Sequence, residues 1–385
     1  MAHKTMIGGT SYSITGGKSL IDGTGYSISK GRTLVDGTGY DISFKPNAYA
    51  MLYSDGDMVF QYDSDVEEGK TLRNSYTGFE DENYDSYSEI PWYSNINNII
   101  NANFKDNISP SSLDYWFYNA QNMKTINTTN LNWNNIIGMI STYYNCHNLT
   151  SSPICGENVI FMDGTYSYCT NLTGSPVCGN NVTDMYRTYQ ECCNLTGSPV
   201  CGENVIDIGS AYYNCQNLTG SPVCGNKVTD MYSTYYNCRN LTGSPVCGNN
   251  VTNMRDTYTN CQNLTGNPVC GEKVTDMSYA YDNCWNLTGS PVCGNNVSNM
   301  SSAYRNCKNL FGTMYIYSNN IKNIRNCFYS RSNAQRLSIY AYQGTNTWNT
   351  LIINNTSSMV GASITWTNRG SYFYNTRYNI YIYRM

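Results

Sequence analysis

The sequence predicts a repeat solenoid with β-rich ends, and three observations carry that prediction. Cys146, Cys169, Cys192, Cys215, Cys238, Cys261, Cys284 and Cys307 follow one another at steps of 23 residues. A second series, Cys155, Cys178, Cys201, Cys224, Cys247, Cys270 and Cys293, keeps the same step. On either side the pattern changes to short runs in which Tyr or Ile alternates with polar residues and Gly closes the turns. A fixed period of this size marks stacked units, each burying against its neighbours what it cannot bury alone.

The regular block runs from roughly Ile136 to Leu310. In the unit that starts at Val228, the residues Val228, Met231, Tyr235 and Cys238 are spaced 3, 4 and 3, which predicts one face of a short helix. Leu241 follows, and Thr242-Gly-Ser-Pro-Val-Cys247 is expected to be a short strand, because a residue before proline is driven out of the α region. Gly248-Asn-Asn turns the chain into Val251. Strands stacked roughly 4.8 Å apart would give a rod of roughly 40–50 Å. The flanking units are irregular: Ala120-Gln-Asn-Met123 repeats Cys146-His-Asn-Leu149 at a 26-residue offset, and the period is lost by Cys327. Terminal units are expected to deviate, because they cap the core.

Four segments follow. Residues 1–44 hold a 14-residue repeat, with Tyr12, Tyr26 and Tyr40 in register and Asp-Gly-Thr-Gly-Tyr turns, read as serial β-hairpins that attach the chain to something else. Residues 45–95 form a small β segment with the hairpin Ala50–Tyr53, Asp55-Gly56, Met58–Phe60 and an acidic loop. Residues 96–330 are the solenoid. Residues 331–385 are a Tyr-rich β cap ending in Tyr378-Asn-Ile-Tyr-Ile-Tyr383.

Composition narrows the function classes. Charged residues are 13% of the chain, against about 25% in an ordinary soluble domain. Tyr is at 37 and Phe at 9, and the net charge is −4. Nucleic acid is not expected as a partner, since phosphate binding needs a basic stripe. No apolar run reaches the roughly 18 residues of a membrane span. The first residues carry no secretory apolar region, so synthesis in a reducing cytoplasm is expected and the 17 cysteines are read first as thiols.

The cysteine columns are read as small apolar side chains filling a narrow core. Neighbouring units would bring like cysteines close enough for disulfides, which stays a second reading; no pair has the short spacing of zinc ligands. Asn148, Asn171, Asn194, Asn217, Asn240, Asn263 and Asn286 each begin an Asn-Leu-Thr triplet. These fit a glycan acceptor, but a ladder of asparagines bonding successive units is the preferred reading. Asp63-x-Asp65-x-Glu67 suggests a calcium loop, yet Glu68 stands where the turn glycine belongs and Asn74 where the closing Glu belongs, so a solvated acidic loop is expected. His3 and His147 flank no nucleophile, and the unit carboxylates recur as turn residues. No enzyme activity, metal or cofactor is expected.

Comparing units with one another separates constant from variable positions. Gly-Ser-Pro-Val barely changes. Positions four, eight and eleven residues after each unit's Val do change. They carry Tyr186, Tyr213, Tyr232, Tyr236, Arg239, Arg255, Trp285, Arg305 and Lys308. On the expected helix they share one exposed face. Tyr, Trp and Arg are the residues of binding hot spots, so this ridge is the candidate recognition surface; unconstrained drift of solvent positions is the competing explanation.

The unit Val205-Ile-Asp-Ile-Gly-Ser-Ala-Tyr-Tyr-Asn-Cys-Gln-Asn-Leu resembles the leucine-rich repeats of BspA type, as do the Val-Thr-Asp-Met starts at Val182, Val228 and Val274. The resemblance covers about half the chain. It departs from the family in having Tyr189, Tyr212, Tyr235 and Tyr258 where Phe is usual, and Ser175, Ser221 and Ser244 at the apolar strand position. The Gly-Thr-Gly-Tyr hairpins, Met51-Leu-Tyr-Ser-Asp-Gly and the terminal Tyr-Asn-Ile-Tyr-Ile-Tyr are similar to tail, baseplate and fibre proteins of phages and prophages. The resemblance implies a non-enzymatic virion protein assembled in the host cytoplasm. Other virion proteins would hold its N-terminus, it would form a homo-oligomer, and a glycan or protein receptor on a bacterium would bind the solenoid. A bacterial surface adhesin and a purely architectural particle protein are the alternatives.

Overall fold

The computed structural model describes residues 47–330, 336–342, 345–352, 367–368, 372–375 and 379–385; within the first 46 it describes the backbone of six strands. Those strands are β1 (His3–Ile7), β2 (Thr10–Ile14), β3 (Lys18–Ile21), β4 (Thr24–Ser27), β5 (Gly31–Val35) and β6 (Thr38–Ile42). They pair as three separate antiparallel hairpins, β1–β2, β3–β4 and β5–β6. Register sets Tyr12 opposite Thr5, Tyr26 opposite Ser19 and Tyr40 opposite Thr33, so the 14-residue repeat is one hairpin long.

A five-stranded sheet follows. Its strands are β7 (Tyr49–Tyr53), β8 (Asp57–Gln61), β9 (Leu72–Thr77), β10 (Asn101–Phe104) and β11 (Thr125–Asn127), in the order β11-β10-β8-β7-β9. The β7–β8 hairpin turns at Gly56, whose φ of 92° suits glycine. Two boundaries differ from the sequence reading. Leu72–Thr77, expected as part of a loop, is an edge strand pairing with β7, and its alternation of half-buried and exposed residues is what an edge leaves visible. β10 and β11 come from the segment assigned to the repeats, yet they extend the N-terminal sheet in parallel with β8. Phe60, Phe79, Trp92, Phe104 and Trp116 form its buried core, with Phe60 stacked on Phe104 at 4.5 Å and Trp92 Nε1 donating to the Trp116 carbonyl at 2.7 Å. The Asp63–Glu67 loop is closed from within: Asp63 Oδ1 accepts from Gln61 Nε2 and from the Asp65 amide. Lys70 supplies the nearby positive charge, lying against Asp55, Asp57 and Glu67.

The repeated units form a β-rich stack with no helix between Val159 and Leu310, which corrects the expectation of a short helix in each unit. An α-helix would turn every amide onto a carbonyl four residues back, leaving none for the neighbour. Here alternate amides divide the task. Met231, Ser233, Tyr235 and Asn237 donate to Asn253, Arg255, Thr257 and Thr259 of the next unit at 2.7–3.0 Å, while Thr234, Tyr236 and Cys238 close overlapping turns onto carbonyls three residues back. The geometry needs a left-handed residue every fourth position, met by Ser233 (φ 51°) and Asn237 (φ 61°). The strand expected over Thr242–Cys247 does not form, since Gly243 bends the chain at a φ of 81°; the bridges fall elsewhere: Phe161, Asp184, Asp207, Asp230, Asn253, Asp276 and Asn299 form a column of single parallel bridges.

The buried columns are those with the repeating Val, Met, Tyr, Cys and Leu. The aromatic rings stack from Tyr143 through Tyr166, Tyr189, Tyr212, Tyr235, Tyr258, Tyr281 and Tyr304 onto Phe328, at 5.1–5.8 Å. The hydroxyl explains why this column is Tyr. Tyr235 donates to the Val223 carbonyl at 2.7 Å and accepts from the Val223 amide at 3.0 Å, pinning the Pro222-Val223 segment to the turn segment. The same pair of bonds recurs from Tyr166 on Ile154 to Tyr304 on Val292. The eight ladder cysteines, Cys146, Cys169, Cys192, Cys215, Cys238, Cys261, Cys284 and Cys307, are buried free thiols. Each donates across the stack, as Cys238 does to the Tyr212 carbonyl at 3.0 Å. The second series is half-buried, and burial pushes these thiols up, Cys224 to about 12.

At the C-terminal end β12 (Gly312–Ile316), β13 (Leu337–Ala341) and β16 (Ile380–Arg384) run parallel. β15 (Tyr372–Asn375) and β14 (Thr367–Asn368) complete the sheet antiparallel. Its first strand lies before residue 331, so the cap begins earlier than the sequence suggested; Tyr378 lies outside the described residues.

Candidate recognition surface

Overlapping turns, not a helix, carry the variable positions. The consequence is a narrow edge on which the variable positions fall between the buried Met, Tyr and Cys, while the left-handed Ser210, Ser233 and Ser302 are themselves buried. Tyr232, Arg239, Arg255, Trp285 and Lys308 are exposed; Tyr186, Tyr213, Tyr236 and Arg305 are half-buried. None of the nine is in the core. Other members of the same columns are: Ser167, Thr259 and Asp282 are buried, so the columns are not uniformly solvent-facing.

The geometry divides the nine into two sets. In the first, each cation meets a carboxylate and each tyrosine meets another ring or a guanidinium. Arg305 grips Asp282 with Nε at 2.8 Å and with Nη2, and Asp282 is 1% exposed. Burial raises the Asp282 carboxyl, and the guanidinium opposes that rise. A buried carboxylate needs its cation, so Arg305 is a structural residue before it is a binding one. Arg255 pairs with Asp256 at 3.3 Å and lies 5.8 Å over the Tyr232 ring. Tyr213 and Tyr236 stack on each other at 4.6 Å, and Arg187 sits 4.7 Å over Tyr186.

The second set has no carboxylate in reach among the described residues. Arg239 Nε donates to Asn237 Oδ1 at 2.8 Å, and Lys308 lies 5.5 Å over the Trp285 ring. Cation–ring contacts of this length hold a side chain in place while leaving its charge unneutralised.

The asparagine ladder exists, but three residues before the predicted position. Asn237 donates to Asn214, Asn283 to Asn260 at 2.8 Å and Asn306 to Asn283 at 2.6 Å. These asparagines occupy the left-handed position, which Asn tolerates better than most residues. The Asn-Leu-Thr asparagines from Asn148 to Asn286 are all exposed. Among them Asn148 reaches the Gln121 carbonyl at 2.8 Å and Asn194 reaches Asn171 at 3.4 Å.

The ridge extends toward the N-terminal sheet through residues outside the regular repeat. Tyr87 stacks on Tyr118 at 4.5 Å, Tyr118 on Tyr144 at 4.8 Å, and Tyr144 meets Tyr168 edge-on at 5.4 Å. The 26-residue offset between Tyr118 and Tyr144 takes this column off the 23-residue period, so the repeat does not reveal it. Cys193, which belongs to neither cysteine series, is half-buried beside Glu191 and Asn214. His147 is half-buried, and the side chain of His3 lies outside the described residues.

No family model matches the chain, and no curated protein does either. Among solved structures, the chain is similar to a leucine-rich repeat protein from Eubacterium ventriosum at 14% identity and a TM-score of 0.31, over 86% of this chain and 97% of that one.

Proposed function

We propose that the chain is a leucine-rich-repeat solenoid of 23-residue coils that serves, without catalysis, as a host-recognition component of a phage or prophage particle. The observation that carries the reading is the contrast between interior and edge. Val, Met, Tyr, Cys and Leu recur in the core, whereas the edge positions change from coil to coil and expose Tyr232, Arg239, Arg255, Trp285 and Lys308 over the last four coils. A scaffold that fixes its interior and varies one edge is suited to presenting contacts. The motifs at the two ends, which resemble phage tail and fibre proteins, supply the particle. The N-terminal hairpins are the attachment, since two-stranded hairpins are marginal alone. Recognition would come from many weak contacts multiplied by copy number.

The self-paired residues of the ridge favour a second reading, a purely architectural protein, because Arg305–Asp282 and Arg255–Asp256 already satisfy each other. Immunogold electron microscopy of source particles, with adsorption assays on particles carrying Arg239→Ala and Trp285→Ala, separates the two. Recognition predicts the chain on the particle surface and weakened adsorption with particle assembly intact. Unaltered adsorption would leave only the architectural role.

A further inference from the structure

We propose that the strip containing Arg239, Gln262, Trp285 and Lys308 binds an anionic polysaccharide, one bearing carboxylates or phosphates along its chain. The inference rests on the ridge being a recognition surface and adds the chemistry of what it recognises.

Charge complementarity is the first argument. Between Ile136 and Leu310 the cations are Arg187, Lys227, Arg239, Arg255, Lys273, Arg305 and Lys308. Lys227 and Lys273 lie away from the edge, each donating to an asparagine of the preceding unit at 2.7 Å. The other five are on the edge. Arg255 and Arg305 are neutralised by Asp256 and Asp282, so the charge left open in the last four units is that of Arg239 and Lys308. Val228 to Leu310 as a whole balances five cations against five carboxylates, but the strip itself joins Arg239 and Lys308 through Gln, Trp and Asn with no carboxylate among them, and that local positive excess selects for an anion.

The neighbours argue for a sugar polymer. Beside Arg239, Gln262, Trp285 and Lys308 stand Asn240, Asn263, Asn286 and Asn309, all four exposed. The strip is therefore two side chains wide: amides that donate and accept to hydroxyls, an indole 42% exposed that offers an apolar face to sugar C–H groups, and a cation at either end. A protein interface would have a dehydrated apolar centre, which is missing here. Nucleic acid would demand a longer run of cations, one for each phosphate neutralised. Arg239 and Lys308 are three units apart at a ring-to-ring step of 5.5 Å, a reach that suits a chain of several sugars and not a single one.

The test uses the purified full chain with polygalacturonate, its fully methyl-esterified form, glycerol-phosphate teichoic acid and oligothymidylate, read by biolayer interferometry. Binding to one or both anionic glycans is expected, about tenfold or more weaker for the neutral ester and falling steeply as salt rises from about 50 to about 500 mM. Arg239→Gln with Lys308→Gln should weaken anion binding by about tenfold, with ladder thiols still protected from labelling as the check on folding. Carboxylate against phosphate preference identifies the source of the anion. Equal affinity for the ester, indifference to the double substitution, or tighter binding of oligothymidylate would overturn the proposal. If no polyanion binds while particles carrying Arg239→Ala and Trp285→Ala adsorb poorly, the anion assignment fails and recognition stands. If polyanions bind but adsorption is unaltered, the assignment stands and host recognition fails.

Discussion

Removing one hydroxyl from the tyrosine column should have opposite effects at two positions. Tyr235 donates to the Val223 carbonyl and accepts from its amide, at 2.7 and 3.0 Å, and its ring is fully buried between Tyr212 and Tyr258. Tyr235→Phe keeps the stack but orphans both backbone groups of a half-buried residue. Orphaned groups cost about 1–3 kcal/mol each, so with partial access of water to Val223 the loss should be about 2–3 kcal/mol. Tyr143 occupies the same column, stacked on Phe117 at 5.7 Å and Tyr166 at 5.1 Å, yet its buried hydroxyl has no partner. Tyr143→Phe deletes a desolvated hydroxyl that makes no bond, and stability should be unchanged or rise by up to about 1 kcal/mol. Urea unfolding followed by far-ultraviolet circular dichroism, with both variants measured against the parent chain, gives the comparison. Equal losses at the two positions, or a larger loss at Tyr143, would refute the role assigned to the hydroxyl.

Three further outcomes follow from the same geometry. Arg305→Ala should destabilise by about 3–5 kcal/mol in the same unfolding assay, because it leaves Asp282 charged and buried, while Arg305→Ala with Asp282→Asn should recover most of that loss. Gly220→Ala should cost more than about 2 kcal/mol, since φ is +82° and an added Cβ would lie 2.2 Å from Ser198 Oγ and 2.9 Å from its Cβ; the alanine at exposed Ser221 should be neutral by comparison. Burial pushes the Asp163 carboxyl up to about 6, helped by Asp184 and opposed by Arg187. The folded state then binds its proton more tightly than the unfolded state, so the chain loses stability as pH rises from about 4 through about 6. Asp163→Asn should therefore stabilise by about 1–3 kcal/mol at pH near 7 and by nothing near pH 3.5, read from unfolding midpoints at the two values.

Legibility in the sequence followed the chemistry of burial. Val228, Met231, Tyr235, Cys238 and Leu241 are buried because a position that repeats as apolar in every unit has little alternative to the core. Their 3-4-3 spacing could not say which backbone delivered them. A helix and a run of overlapping turns return to the same side at the same intervals. The deciding signal was local: Asn214, Asn237, Asn260, Asn283 and Asn306 recur before the ladder cysteine, and a recurring Asn is a mark of the left-handed region. The Asn-Leu-Thr triplet is the more conspicuous repeat, recurring in seven successive units from Asn148 to Asn286. Its Leu is buried, while its Asn and Thr face solvent. The Tyr-for-Phe substitution was visible as a departure, but its partner stands twelve residues back on the far side of the unit and could not be read from spacing. On the ridge, variation from unit to unit marked Tyr232, Trp285 and Arg239 as surface, which residue type could not, since Tyr235 of the same unit is core. Only the cross-unit pairing with Asp282 removed Arg305 from the free cations.

Hydroxyl-radical footprinting of the intact chain, read residue by residue by mass spectrometry, tests most directly the claim that stacking in register hides one spine and opens one edge. Cys238, Cys261, Met231, Met254 and Tyr235 should be protected, and Trp285, Tyr232 and Tyr87 strongly modified. Ready oxidation of the ladder cysteines and methionines in the folded chain, at rates approaching that of Trp285, would contradict it.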